Sequence, residues 1–484
     1  MAVFAFSCQD ALDIVQDGEI NDAATFRTVA DARSFLIGDV YRRIDITNEI
    51  SFTAVFTDEV GLGNNNGGQG RELHRYFLFA NDGNASSLWL SNYAIINRVN
   101  RLIRGSALIP IDTPEDEVAL NSVLAEARAI RAFAYLQLQT FFSTDLSNDE
   151  ALGVMLLDFV PTVDVKLPRV SNADIFEFME EDLQFAETNL SSLPGVNPFA
   201  NNYKYVTQGF INAVRARMYL YRKNYTLAAQ YAQAAISTSG VALATGAAYN
   251  AMWNDAGRGE SIFSASRPSA GGWGNIARSF FFNTTSLTGG CFHDMGRNLF
   301  NALDSNTSDV RNLWVDNSSI FDPTQTNLAL AQTTDVIVIN KYPGKPSQPL
   351  RNDLKIFRVS EMKLILAECA VGGATQDLAA AAGFVQEIRT ARNTGQTLPF
   401  YATPQDAWAD ILLERRKELC FEGHRYIDLK RLGAVANASI DRNILDDIVL
   451  GTPLTLPIND HRFTMPIPQD EVQANTTIQQ NPNY

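Results

Sequence analysis

Cysteine and histidine each occur only four times along the 484 residues. The cysteines stand at 8, 291, 369 and 420 with no C-x-x-C pair and no regular spacing, so neither a zinc ribbon nor a disulfide framework is indicated. Cys369 and Cys420 fall within apolar helical patterns and read as buried free thiols. None of the histidines stands in H-E-x-x-H, the spacing of a zinc protease helix. Positive charge is also scarce. Against 54 acidic residues there are 39 lysines and arginines, a formal net charge of −15, which argues against nucleic acid as a partner because phosphate binding needs clustered cations. No apolar run approaches the roughly 18 residues of a membrane span. The stretch DSNTSD, Asp304 to Asp309, invites a calcium reading but lacks the sixth-position glycine and twelfth-position glutamate of an EF-hand loop. No metal and no cofactor are expected.

What is present is apolar bulk: 46% hydrophobic residues, with 29 Phe and 15 Tyr. That is enough to bury a large core in one elaborate domain or up to about three ordinary ones. The start, MAVFAFSCQD, sets a short apolar run before Ser7 and Cys8 and a polar stretch after them. It resembles the end of a bacterial lipoprotein signal whose cysteine, here Cys8, becomes the lipidated residue; the alternative is an apolar tail with a chance cysteine. Residues 1–8 therefore read as a truncated signal remnant, and 9–484 as one domain.

Helical periodicity recurs in pairs. Residues 23–46 and 86–104 make a first pair, the second with Trp89, Tyr93, Ile96, Val99 and Ile103 on one face, where Trp89 reads as core. Residues 115–141 carry a long stripe. The partner of that helix starts at Ser171, an N-cap with Asp174 three residues on. The segment from Ala216 to Ile236 places small residues and tyrosines on both sides of a Lys223-Asn224 turn, like a tetratricopeptide hairpin. Residues 356–371 and 377–392 repeat the arrangement around Gly372-Gly373, and a further helix runs from Pro404 to Phe421. The expected architecture is mainly α: stacked helix pairs over about 9–238 and 351–433, an insertion over about 239–350, and a C-terminal tail at 434–484. Two segments break the helical pattern. Residues 51–82 contain GLGNNNGGQG, and residues 239–350 mix β-like runs, SIFSAS and DVIVIN, with loops. Irregular insertions of this length in a helical scaffold are usually functional.

The densest chemistry lies in LLERRKELCFEGHRYIDLKRLG, Leu412 to Gly433. Glutamate, histidine and arginine so close suggest an acid and a base. Yet Glu414, Arg415, Arg416, Lys417 and Glu418 fan around more than one helical turn and cannot all face one cleft. Ion pairs to flanking helices, with Gly423 reversing the chain, are the expected role.

This segment strongly resembles the C-terminal signature of SusD/RagB-like outer-membrane lipoproteins of Bacteroidetes. AEARAIRAFAYLQLQTFF (125–142), KYPG (341–344) followed by FRVSEMKLILAEC (357–369), and MPIPQDEVQANTTIQQNPNY (465–484) are similar to further family segments in the same order. The resemblance implies a right-handed stack of four tetratricopeptide-like helix pairs with a loop-rich ligand face. It also implies a non-catalytic lipoprotein that is lipid-anchored in the outer membrane, faces the cell exterior and captures glycan for a SusC-like TonB-dependent transporter. DVR at 309–311, ahead of Trp314, resembles a structural element of the family.

A sugar ring needs flat aromatics with Asn, Asp or Arg close by. Trp273, in SAGGWGN, is the first candidate, its alternative a loop anchor packed on the core. Phe281 follows if SFFFN is a strand that buries Phe280 and Phe282, with Asn283 beside it to meet hydroxyls. In the first loop, Asp58, Asn65, Arg71 and His74 could hydrogen-bond hydroxyls, although residues 57–74 hold no aromatic. Trp253 and Trp314 read as packed. Three other readings stand beside glycan capture. They are peptide capture on the same fold, a glycoside hydrolase needing two carboxylates about 5 to 9.5 Å apart, and a protein-interaction scaffold.

Overall fold

The computed structural model describes residues 22–63, 66–268, 291–304, 308–315, 319–320, 327, 336–349, 351–446 and 452–484. Cys8, Asn65, Trp273, Phe281 and Asn283 lie outside them. The described fold is mainly helical. Helix α1 (Asp22–Thr25) is followed by a break and then by α2 (Val29–Phe35), which passes through a π turn (Leu36–Val40) and a 3-10 turn (Tyr41–Arg43), so the helix expected over 23–46 is not continuous. After α3 (Thr47–Phe56), strand β1 (Val60–Leu62) and the short α4 (Arg71–His74) come the long helices α5 (Gly83–Ser106) and α6 (Pro114–Phe142).

Helix α7 (Asn172–Asn189) opens with the reciprocal capping box of Ser171 and Asp174. Helices α8 (Gln208–Tyr221) and α9 (Tyr225–Ser239) form a hairpin whose turn places Lys223 at φ 58° and uses Asn224 to cap α9. Beyond α10 (Gly246–Trp253), β2 (Ser261–Ala265), β3 (His293–Met295) and α11 (Arg297–Asp304) lies a small hairpin, β4 (Gly344–Lys345) with β5 (Gln348–Pro349). Strand β6 (Leu354–Arg358) runs into α12 (Val359–Gly372), which hairpins with α13 (Leu378–Arg392). Helices α14 (Pro404–Leu419), α15 (Arg425–Leu432) and α16 (Gln469–Ala474) complete the order. In the stack, α5 and α7 flank α6, and α12 packs on α9, α13 and α14. At Gly372 a Cβ would sit 2.4 Å from the Tyr225 ring, so glycine is what lets one hairpin turn close on the next hairpin.

Two expectations need correction. Residues 51–56, expected to open an irregular stretch, belong instead to helix α3. Phe52 to Phe56 of α3 are all buried, so no polar stripe marks the helix in the sequence. Among the described residues of DVIVIN no regular strand forms: Val336 and Ile339 make isolated bridges, to Ile320 and Val315.

The segment 412–433 sits at the centre of the molecule. Helix α14 turns about 100° per residue, and its consecutive charges enter separate networks. Glu418 accepts from Arg392 at 2.8 and 2.9 Å, from Arg358 at 2.9 Å and from Arg311 at 3.3 Å. Glu260 joins Arg358 and Arg392, and Glu422 joins Arg358 and Lys341. The Lys341 ammonium stands 3.7 Å from the Trp314 ring centre and 4.5 Å from that of Trp253, so both tryptophans pack over this network as expected. Arg415 pairs with Glu368 and Asp428, and Arg416 pairs with Asp58 and Asp441. Asp309 and Arg311 of DVR pair with each other, and Arg311 also reaches Glu414 at 2.7 Å. Gly423, at φ 85°, reverses the chain between α14 and α15. Burial alone would raise the Glu418 pKa, but Arg392 and Arg358 outweigh it and hold the carboxylate ionised.

Candidate functional site

The loop after α3 is built around buried charges. Asp58 is 1% exposed; its oxygens accept from Arg425 at 2.8 Å on each side and from the Asp441 backbone N–H at 2.9 Å. Burial would raise its pKa, yet Arg416 and Arg425 hold it well below the usual carboxylate range. Asp58 is therefore corrected from a ligand group to the anchor that ties this loop to α15 and the C-terminal tail. His74 is corrected as well. It is fully buried, and burial, then Arg442 and His293, keep its imidazole neutral. The Arg442 guanidinium donates to the carbonyls of Val55, Phe56, Thr57 and His74, and so satisfies carbonyls at the C-terminal end of α3.

Strand β1 pairs antiparallel with β3, Val60 opposite Met295 and Leu62 opposite His293. Beyond the strands, the Gly63 N–H and the Asn66 amide both donate to the Phe292 carbonyl, at 3.0 and 2.8 Å. A Cβ on Gly63 would lie 2.3 Å from the Cys291 carbonyl oxygen, so this close approach requires glycine. The structure thus joins the first loop to the C-terminal border of 269–290, the stretch that carries Trp273, Phe281 and Asn283. At the N-terminal border, Arg351 donates to the Pro268 carbonyl at 3.0 Å and Lys345 to that of Arg267 at 2.8 Å.

Of the first-loop candidates that the structure describes, Arg71 is the one whose side chain is not tied into the framework. It is half-buried and forms no ion pair or hydrogen bond through its side chain among the described residues. Beside it in the chain lie two aromatics that the sequence reading missed. In RYFLFAN, Tyr76 and Leu78 are buried, while Phe77 and Phe79 are 41% and 56% exposed, with ring centres 6.2 Å apart. Tyr76, at φ 65°, makes the reversal that presents them, held by the Arg442 guanidinium 4.3 Å from its ring centre. The Arg75 guanidinium lies 5.6 Å from the Phe77 ring. The signal was in the sequence: the alternation of Tyr76, Phe77, Leu78 and Phe79 has the period of an extended segment with one face outward.

This face offers apolar rings and guanidinium donors. No helix among the described residues is long and apolar enough to cross a membrane.

The comparisons with known proteins agree with this architecture. The sequence profile described as the SusD family matches residues 300–484. A SusD superfamily protein from Bacteroides thetaiotaomicron, known from its crystal structure, is 25% identical, with 94% of this chain and 100% of that one covered and a TM-score of 0.77. Residues 300–484 thus resemble the SusD family, and the fold as a whole is that of SusD superfamily proteins. SusD-like protein P2 of Formosa agariphila is 23% identical over 459 residues, 86% of this chain and 84% of that protein. A SusD-like carbohydrate binding protein from Bacteroides vulgatus shares the fold at 19% identity, covering 94% and 98% of the two chains, with a TM-score of 0.70. The matched segment takes in α14 and α15, whose Glu414, Arg415, Arg416, Glu418, Arg425 and Asp428 are buried framework.

Proposed function

We propose that this SusD/RagB-like chain binds glycan at the cell surface through the face that carries Phe77 and Phe79. The observation that carries the reading is the outward pair of rings, presented by a loop that β1, Asn66 and Gly63 fasten to the border of 269–290. Aromatic faces stack on sugar C–H surfaces, while Arg71 and Arg75 supply donors for hydroxyl oxygens. Trp273, Phe281, Asn283 and Asn65 remain proposed ligand groups from the sequence.

Similarity to a carbohydrate binding protein of the same fold supports this reading, as does the absorption of the 412–433 cluster into the core, which leaves those carboxylates no access to a substrate. On this proposal the chain is not an enzyme. It is a single domain over 9–484, lipid-anchored at Cys8 in the outer membrane, that hands its glycan to a SusC-like TonB-dependent transporter.

The test is affinity electrophoresis of the protein through gels containing neutral or charged polysaccharides, with Trp273→Ala alongside. Retardation by one polysaccharide class, reduced by the substitution, is expected. Unchanged mobility in every gel, together with binding to a peptide pool, would replace glycan with peptide.

A further inference from the structure

A sizeable groove lies away from this loop, against the helical scaffold. About 840 Å³ in volume, it runs between α13 and the start of α10, walled by Leu243, Val310 and Leu398. Its size falls in the range of about 300–1,000 Å³ typical of ligand sites. Asn393, just past the end of α13, lines it. The residue is 7% exposed, and its side-chain amide makes no hydrogen bond among the described residues. Its amide atoms keep contact with the solvent of the groove, so a ligand that displaces this water must supply hydrogen-bond partners in its place.

Across the groove, Thr245 precedes α10 without using its hydroxyl as a cap, so the first N–H groups of that helix, at Gly246 and Ala247, are left without an intrahelical acceptor. The charges in the walls are already spent. Arg392 is paired with Glu260 and Glu418, and Glu387 with Lys363 at 2.7 Å.

We propose that this groove is a second binding site and that it takes an extended, uncharged peptide segment with aliphatic side chains. The Asn393 amide offers one acceptor and two donors, which matches the N–H and C=O of a peptide bond. The α10 N-terminus accommodates a further carbonyl, and Leu243, Val310 and Leu398 receive side chains. Among the described lining residues there is no aromatic ring on which a sugar could stack. An alkyl chain would bury Asn393 without a partner. A charged segment would find no free counter-charge in the walls.

The site comes with a clean block. A Cβ on Gly383, in the groove wall on α13, meets no atom within 4 Å, so Gly383→Leu fills the groove without disturbing the helix, which leucine also favours over glycine. The probe is an N-acetylated, C-amidated hexapeptide alternating serine and leucine, titrated calorimetrically into the full chain. Binding to the unmodified protein, weakened about tenfold or more by Gly383→Leu (~1.4 kcal/mol or more) and several-fold by Asn393→Ala, is expected. Polysaccharide retardation should be unchanged in both variants. Absence of heat with the peptide, or equal binding by Gly383→Leu, would overturn the proposal. Loss of an oligosaccharide site in Gly383→Leu would assign the groove to glycan instead.

Discussion

Glu418 receives three guanidinium groups inside a core closed to water, and its removal would leave Arg392, Arg358 and Arg311 short of negative charge. Breaking a buried pair costs about 3–5 kcal/mol because the stranded charge stays desolvated. Glu418→Ala should therefore lower stability by that amount, read as a reduced denaturation midpoint with urea. Gly63 carries a different constraint: Gly63→Ala forces a methyl against the Cys291 carbonyl and should cost about 1–3 kcal/mol. The scaffold role of 412–433 was legible, because helical spacing alone forbids its charges from sharing a cleft. The roles of Asp58 and His74 were not. Polar residues beside a Gly- and Asn-rich loop look solvent-facing until Arg425 and Arg442, more than 350 residues away, are seen to close over them.

Helix α3 and the chain after it carry two carboxyl groups with unusual protonation. Glu49 and Glu59 are buried and each has one oxygen without a partner. Burial raises their pKa values from 4.5 to about 7 and about 8, although Asn92 beside Glu49 and the Phe421 N–H beside Glu59 favour the charged form. The folded protein holds these protons where the unfolded chain has lost them. Their contribution is intact below about pH 4.5 and is lost as pH rises through about 7 to 8. Asp58, Glu414 and Glu418 act oppositely, with pKa values lowered, so their stabilisation is lost in acid. Stability should peak at mildly acidic pH. The double variant Glu49→Gln, Glu59→Gln should flatten the alkaline limb of the unfolding midpoint against pH; an unchanged limb would remove these groups from the explanation. Helix α7 was legible through its capping box and the α8–α9 hairpin through its turn. Helix α3 was hidden because a helix buried on nearly every side has no stripe to read.

At the scale of the whole molecule, helix hairpins and buried ion networks fix a framework, and the border segments of 269–290 are fastened beside β4–β6 and the first loop. The resemblance to SusD-family proteins and the helical class could be read from the chain because segments spread along its length carry them. The exposed pair Phe77 and Phe79 could not be placed, since which side of an alternating segment faces water depends on Tyr76 and Leu78 meeting a core assembled from distant residues. The decisive measurement is calorimetric titration of the intact protein with an oligosaccharide of the retarding polysaccharide class, compared with the double variant Phe77→Ala, Phe79→Ala. Both rings are exposed, so the variant should unfold at nearly the same temperature as the original protein. The account predicts binding by the original protein and at least about a tenfold loss in the variant, ~1.4 kcal/mol or more across two stacking rings. Equal affinity in the two proteins would contradict it and place the ligand elsewhere on the molecule.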